Sequence, residues 1–176
     1  IDPKIPLAEK VFLKTIVPDI SISDSSDQIV SSILSSIERS ELSLLTLYVY
    51  RQMDKIEWLP FIKASIERNP VCFNDLGSQS IPDVFALLTL LPNQSIYDDK
   101  RLALPDEVWN FRRGDGIEKS LLLADIIISR ENKAIVNIEI ENNNVFLVHN
   151  GQEFRFISSK GFRKSIRISG NYYEIK

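Results

Sequence analysis

Gly114, Asp115 and Gly116 form a tight turn directly after Arg112 and Arg113, and the chain then enters Leu121 to Ile128, apolar except for Asp125. Asp115 has the side chain and position of a helix N-cap, and Glu118, three residues on, completes a capping box. A helix apolar nearly all round is buried by neighbours on most sides. If its first amides open on a glycine turn, two kinds of chemistry fit there: lowering the pKa of a thiol, or holding a carboxylate or phosphate with the two arginines. Trp109, Arg112, Arg113, Asp115 and Gly116 are therefore the residues expected at a cleft or anion site. The structural alternative for Arg112 and Arg113 is bracing of the turn through Asp106, Glu107 or Glu118.

The residues around this turn resemble a known family. Pro105, Asp106, Glu107, Val108 and Trp109, then Arg112 to Asp115, then Lys119 and Leu121 to Ala124 are similar to the core signature of the transglutaminase-like superfamily, relatives of the papain-type thiol enzymes. The resemblance covers roughly Ser95 to Ser158. It implies a nucleophilic cysteine directly after Gly-Asp, with a histidine and an aspartate on two strands that follow. This chain has Gly116 at the cysteine position. Aligning the Asn150-Gly151 hairpin with the family's strands puts Asn144 at the histidine, Phe146 and Phe154 at two tryptophans, and Ile157 at the aspartate. A register slip of a residue or two supplies no carboxylate either, because Phe154 to Phe162 contains none. A thiol enzyme needs a thiolate, an imidazole and a group that orients the ring. With Gly116, Asn144 and Ile157 in those places, the resemblance implies a frame that has lost its thiol chemistry.

The other chemistry-bearing residues are few. Cys72 is the only cysteine and His149 the only histidine, so a displaced nucleophile and base would have to be this pair. An inert buried thiol and a turn-flanking histidine are their plain structural readings. With no His/Cys cluster, no metal and no cofactor are expected. Asp98, Asp99, Asp106 and Glu107 read as capping and solvated carboxylates rather than an acid/base pair. Arg163, Lys164, Arg167, Tyr172 and Tyr173 read as a solvated hairpin face.

The elements that must position these residues follow from periodicity. Apolar residues at helical spacing predict helices within residues 1–17, from about Ile29 to Ser40, over Glu41 to Ile56, Trp58 to Arg68, Pro82 to Leu91 and Pro105 to Phe111, then the central helix. Val71 to Ser80, with Cys72, reads as a loop. After Arg130 the period changes to two. Strands are expected over Ala134 to Glu141 and Val145 to Val148 with a turn at Asn142 to Asn144. A hairpin follows at Asn150-Gly151, then a link at Lys160 to Lys164 and a last hairpin around Gly170-Asn171. Helices first and antiparallel strands later predict α+β, with N-terminal helices and a central buried helix packed on a C-terminal antiparallel sheet. Residues 1–92 form the helical part and 93–176 the transglutaminase-like core.

The 176 residues are 44% hydrophobic and 26% charged, ordinary values for a globular chain, and the net charge of -3 gives no electrostatic footprint for nucleic acid. No apolar run approaches the roughly 20 residues of a membrane span. One cysteine excludes an internal disulfide framework without fixing the compartment. Because the chain opens at Ile1 and its single methionine is Met53, a removed leader or a larger parent protein is expected. The favoured function is a non-catalytic binding or assembly module for a peptide segment or another domain of that parent. The alternative is a residual thiol hydrolase using Cys72 with His149.

Overall fold

The structure, a computed structural model, describes residues 18–176; the helix expected within residues 1–17 lies outside them. The chain divides into two compact units, Ile1–Arg51 and Gln52–Lys176. In the first, α1 (Ser26–Ser36) starts with a capping box in which Ser25 and Gln28 each bond the other's amide. A 3-10 turn, Ile37–Arg39, leads to Ser40, whose hydroxyl caps α2 (Glu41–Tyr50). The hydroxyls of Ser36 and Ser43, both buried, meet at 2.6 Å. The second expected helix stops at Tyr50 rather than running to Ile56. Arg51 turns left-handed at φ 61°, and Met53 gives its amide to the Lys100 carbonyl, a tertiary bond that periodicity does not reveal.

The second unit holds α3 (Trp58–Glu67), α4 (Pro70–Leu76), α5 (Ile81–Leu90), α6 (Pro105–Phe111), α7 (Gly116–Arg130) and the strands β1 (Ile135–His149), β2 (Gln152–Ser169) and β3 (Tyr172–Ile175). Cys72 therefore sits on a helix, where a loop was expected. Pro70 opens α4, and the Asp106 carboxylate accepts the amides of Val71 at 3.2 Å and Cys72 at 2.7 Å. The cap comes from 34 residues further along the chain, out of reach of local reading. Every residue of α7 from Gly116 to Ile128 is buried, and α3, α4, α5, α6, β1 and β2 all pack on it. The fold is α+β, its core built around α7.

The sheet is antiparallel in the order β1-β2-β3. The turn expected at Asn142 to Asn144 and the link expected at Lys160 to Lys164 lie instead within two long strands. Asn142 pairs with Phe162 and Asn144 with Ile157, so residues 158–161 of β2 bulge out of the ladder. Asn142 at φ 56° and Gly161 at φ 62° bend the ribbon there, and beyond the bend His149 Nδ1 comes within 3.2 Å of the Ile135 carbonyl. The two ends of β1 meet, and the ribbon curves over its buried face, which carries Val136, Ile138, Ile140, Val145, Leu147, Phe154 and Phe156. The Asn150-Gly151 turn has φ of 48° and 77°, the left-handed pair expected of a tight hairpin.

Gly161 holds a left-handed conformation, and a Cβ there would come within 3.3 Å of Lys100 Nζ. Gly161→Ala is expected to lower stability by about 1–2 kcal/mol, read from urea midpoints. An unchanged midpoint would mean that the bulge does not require glycine.

Candidate functional site

The N-terminus of α7 meets the β2 bulge through one buried carboxylate. Asp115 is 0% exposed and is the N-cap. Its Oδ1 accepts the Ile117 amide at 3.1 Å and the Ser158 hydroxyl at 2.7 Å. Its Oδ2 accepts the Ser159 amide at 2.7 Å and the Ser159 hydroxyl at 3.1 Å. Glu118, also fully buried, accepts the Asp115 amide at 2.7 Å, the Ala103 amide at 2.7 Å and the Ser95 hydroxyl at 2.6 Å. Burial pushes the Glu118 carboxyl above its ordinary range, against the pull of these donors.

Lysines surround this pair without direct carboxylate bonds. Lys119 Nζ donates to the Leu91 carbonyl at 2.7 Å, Lys160 Nζ to the Tyr97 carbonyl at 2.8 Å, and Lys100 Nζ to the Lys160 carbonyl. Burial lowers the pKa of Lys119 and of Lys160, and the Asp115 and Glu118 charges oppose that shift. The segment from Leu91 to Lys100 is thereby strapped to both the helix start and the bulge.

Gly116 has no space for a side chain. A Cβ built on it would overlap the carbonyl of Ile157, with the rest of that residue's main chain directly behind. Ile157 thus meets the helix through its backbone, while its side chain is 51% exposed on the opposite sheet face. Its register partner Asn144 is half-buried, and Asn144 Oδ1 accepts Arg155 Nη2 at 2.7 Å. The three positions aligned with a thiol triad are neighbours in space, but the Asn144 and Ile157 side chains do not converge on the helix start. Ser158 does, through its buried side chain, and the Ser159 hydroxyl reaches the same carboxylate. Sequence reading missed Ser158, although alternation from Phe154 and Phe156 turns it to the same inner face.

The expected anion site is not assembled. Asp115 itself fills the place in front of the first amides. Arg112, left-handed at φ 53°, is exposed and lies 3.5 Å from the centre of the Trp109 ring, a cation–π stack. Trp109 is buried and donates its indole N–H to Asp75 at 2.7 Å, and Arg113 is half-buried. Among the acidic candidates, Asp106 caps α4, and Glu107 accepts the Tyr97 hydroxyl at 2.9 Å and the Leu104 amide at 2.8 Å.

Cys72 and His149 each bond elsewhere. The Cys72 thiol, fully buried, donates toward Asp125 Oδ2 at 3.3 Å and the Asn69 carbonyl at 3.4 Å. Burial and then the Asp125 charge push its pKa up, the opposite of what a nucleophile needs. The His149 ring faces the Ile135 carbonyl through Nδ1 at 3.2 Å and Asn150 Nδ2 through Nε2 at 3.1 Å. Among the described residues, no group of three His, Cys, Asp or Glu side chains is placed to hold a metal ion, and no helix is long and apolar enough to cross a membrane. Compared with known proteins, the chain matches no family model, no curated protein and no solved structure.

Two measurements test these carboxylates. Asp115→Ala strands donors on both the helix and the bulge, and it is expected to cost about 3–5 kcal/mol, against about 1 for Ser159→Ala. Equal losses would show that the carboxylate is not the tie. Among the described residues Asp125 is held by the thiol and by Ser129 Oγ at 3.4 Å, and burial pushes its pKa up to about 7 from 3.8. With the folded value above the unfolded one, its contribution is fully present below about pH 4 and is lost as pH rises to about 7. Relative to the native chain, Asp125→Asn should therefore gain stability between pH 4 and pH 8, on the order of a few kcal/mol. A difference that is constant with pH would refute the buried-carboxylate account.

Proposed function

We propose that this chain is a non-catalytic binding or assembly module on a transglutaminase-like frame, serving a peptide segment or another domain of a larger protein. The observation that carries the reading is the closed helix N-terminus: the Ile157 main chain rests where a Gly116 side chain would be, and the Asp115 carboxylate occupies the amides. A reacting group needs both space at that point and free donors for the developing charge. Neither is present.

The frame is supported by the run from Pro105 to Ala124 and by the order of elements, with a buried helix followed by antiparallel strands that touch its first turn. Loss of chemistry is supported by Gly116, Asn144 and Ile157 together, since a site without its reacting groups does not carry the activity of its fold. The residual-hydrolase alternative relies on Cys72 and His149. It is weakened by a thiol that shares a buried carboxylate and an imidazole engaged at the ribbon end.

The test is turnover. The native chain, offered amide, peptide and glutamine-donor substrates, is expected to show no rate above the uncatalysed one. Gly116→Cys is expected to lose about 1–3 kcal/mol through overpacking against β2 and to gain no activity. Its thiol at that position should react with iodoacetamide only when the protein unfolds. Turnover by the native chain that disappears on one substitution near α7 would reject the reading.

A further inference from the structure

Asn150-Gly151 is the one asparagine-glycine pair in the chain. Both residues are exposed at the tip of the β1-β2 ribbon, and the last pair of the ladder, His149 with Gln152, closes the hairpin behind them. The peptide between Asn150 and Gly151 therefore lies outside the ladder. A Cβ built on Gly151 would meet nothing within 4 Å, so the space beside that peptide is open. An asparagine carboxamide and the next main-chain nitrogen are spaced to close a five-membered ring, and a following glycine removes the side chain that elsewhere obstructs closure.

The group beside the carboxamide sets this turn apart. His149 Nε2 meets Asn150 Nδ2 at 3.1 Å, while Nδ1 lies 3.2 Å from the Ile135 carbonyl. The second contact fixes the ring at the end of the ribbon, so the first keeps an imidazole against the nitrogen that leaves when an amide is lost. Histidine gives and takes a proton near neutral pH. A proton delivered to the leaving nitrogen is the help that breaking a C–N amide bond needs.

Other asparagines of the ribbon lack this combination. Asn142 is also left-handed, at φ 56°, but Asn143 follows it, and its Oδ1 accepts Arg163 Nε at 3.1 Å. Asn144 precedes the β-branched Val145, and its Oδ1 accepts Arg155 Nη2 at 2.7 Å.

We propose that Asn150 is a deamidation site whose conversion His149 assists. The Gly151 nitrogen gives its proton to hydroxide and bonds to Asn150 Cγ. The Cγ–Nδ2 bond breaks, and the nitrogen leaves as ammonia with a proton from the His149 imidazolium. Water reprotonates the ring, which restores the hydroxide, and a second water opens the succinimide at either carbonyl. The products are aspartate and isoaspartate. Aspartate places a carboxylate beside the ring. Isoaspartate adds a methylene to the main chain of a turn built on φ of 48° and 77°, and so loosens the contact that joins the two ends of β1. This inference does not rest on the binding-module reading.

The native chain, kept folded at neutral pH for weeks and then digested with trypsin, tests the proposal by fragment mass spectrometry and by methyl transfer to isoaspartate. The expected result is amide-to-acid conversion at Asn150 ahead of Asn142 to Asn144, with isoaspartate at position 150. His149→Phe keeps a flat ring without its nitrogens and should slow the conversion about fivefold, as should His149→Gln. Amide chemical shifts of Leu147 and Phe154 report whether the hairpin survives in these variants, and the position of isoaspartate in the native chain decides the site without them. Conversion spread evenly over the ribbon's asparagines, or none at Asn150, would overturn the site. An unchanged or faster rate in both variants with the hairpin intact would overturn the role of His149, since the ring would then only restrain the carboxamide.

Discussion

The second unit depends on one carboxylate at the point where α7 meets the β2 bulge. The Asp115 carboxylate has no exposure, and an ionised carboxylate out of water is costly unless donors surround it. Here those donors come from two distant parts of the chain, the first turn of α7 and the bulge at Ser158 and Ser159. Capping and strand placement are therefore one event. The helix cannot lose its cap without releasing the bulge, and the bulge cannot straighten into a regular ladder without leaving the carboxylate unsatisfied.

That coupling explains why the helix start is closed. To bring the Ser159 amide to Asp115, β2 must approach α7 until the Ile157 main chain touches the helix, and only a residue without a Cβ permits the approach. Gly116 is thus a packing requirement. The straps from Lys100, Lys119 and Lys160 to main-chain carbonyls hold the preceding segment over the same place. The Ile157 main chain and the Asp115 carboxylate together occupy the space in front of the first turn of α7.

A third buried carboxylate, after Asp115 and Glu118, sits further along α7. Asp125 shares its oxygens with the Cys72 thiol and the Ser129 hydroxyl, and its burial favours the neutral form. With Asp106 capping α4 nearby in the same contact, Cys72 lies among acids, which suppress thiolate formation.

Much of this was written in local pattern. The apolar run from Leu121 to Ile128 determined a buried helix, Asp115 and Glu118 its capping box, Asn150-Gly151 the hairpin, and the change of period after Arg130 the α+β class, because each depends on residues a few positions apart. Tertiary structure decided the rest. That α4 is a helix depends on a carboxylate supplied by Asp106. The turn expected at Asn142 to Asn144 became part of a continuous strand because the bulge opposite, anchored by Asp115, absorbs the irregularity. Ser158, not Ile157, faces the helix because the pleat alternates from Phe154 and Phe156. At Gly116 only the approach of β2 shows that no side chain fits there. For Ser158 the alternation was local and legible; for the other three the partner that fixes the conformation lies on another element, and local periodicity carries no information about which distant group will come within bonding distance.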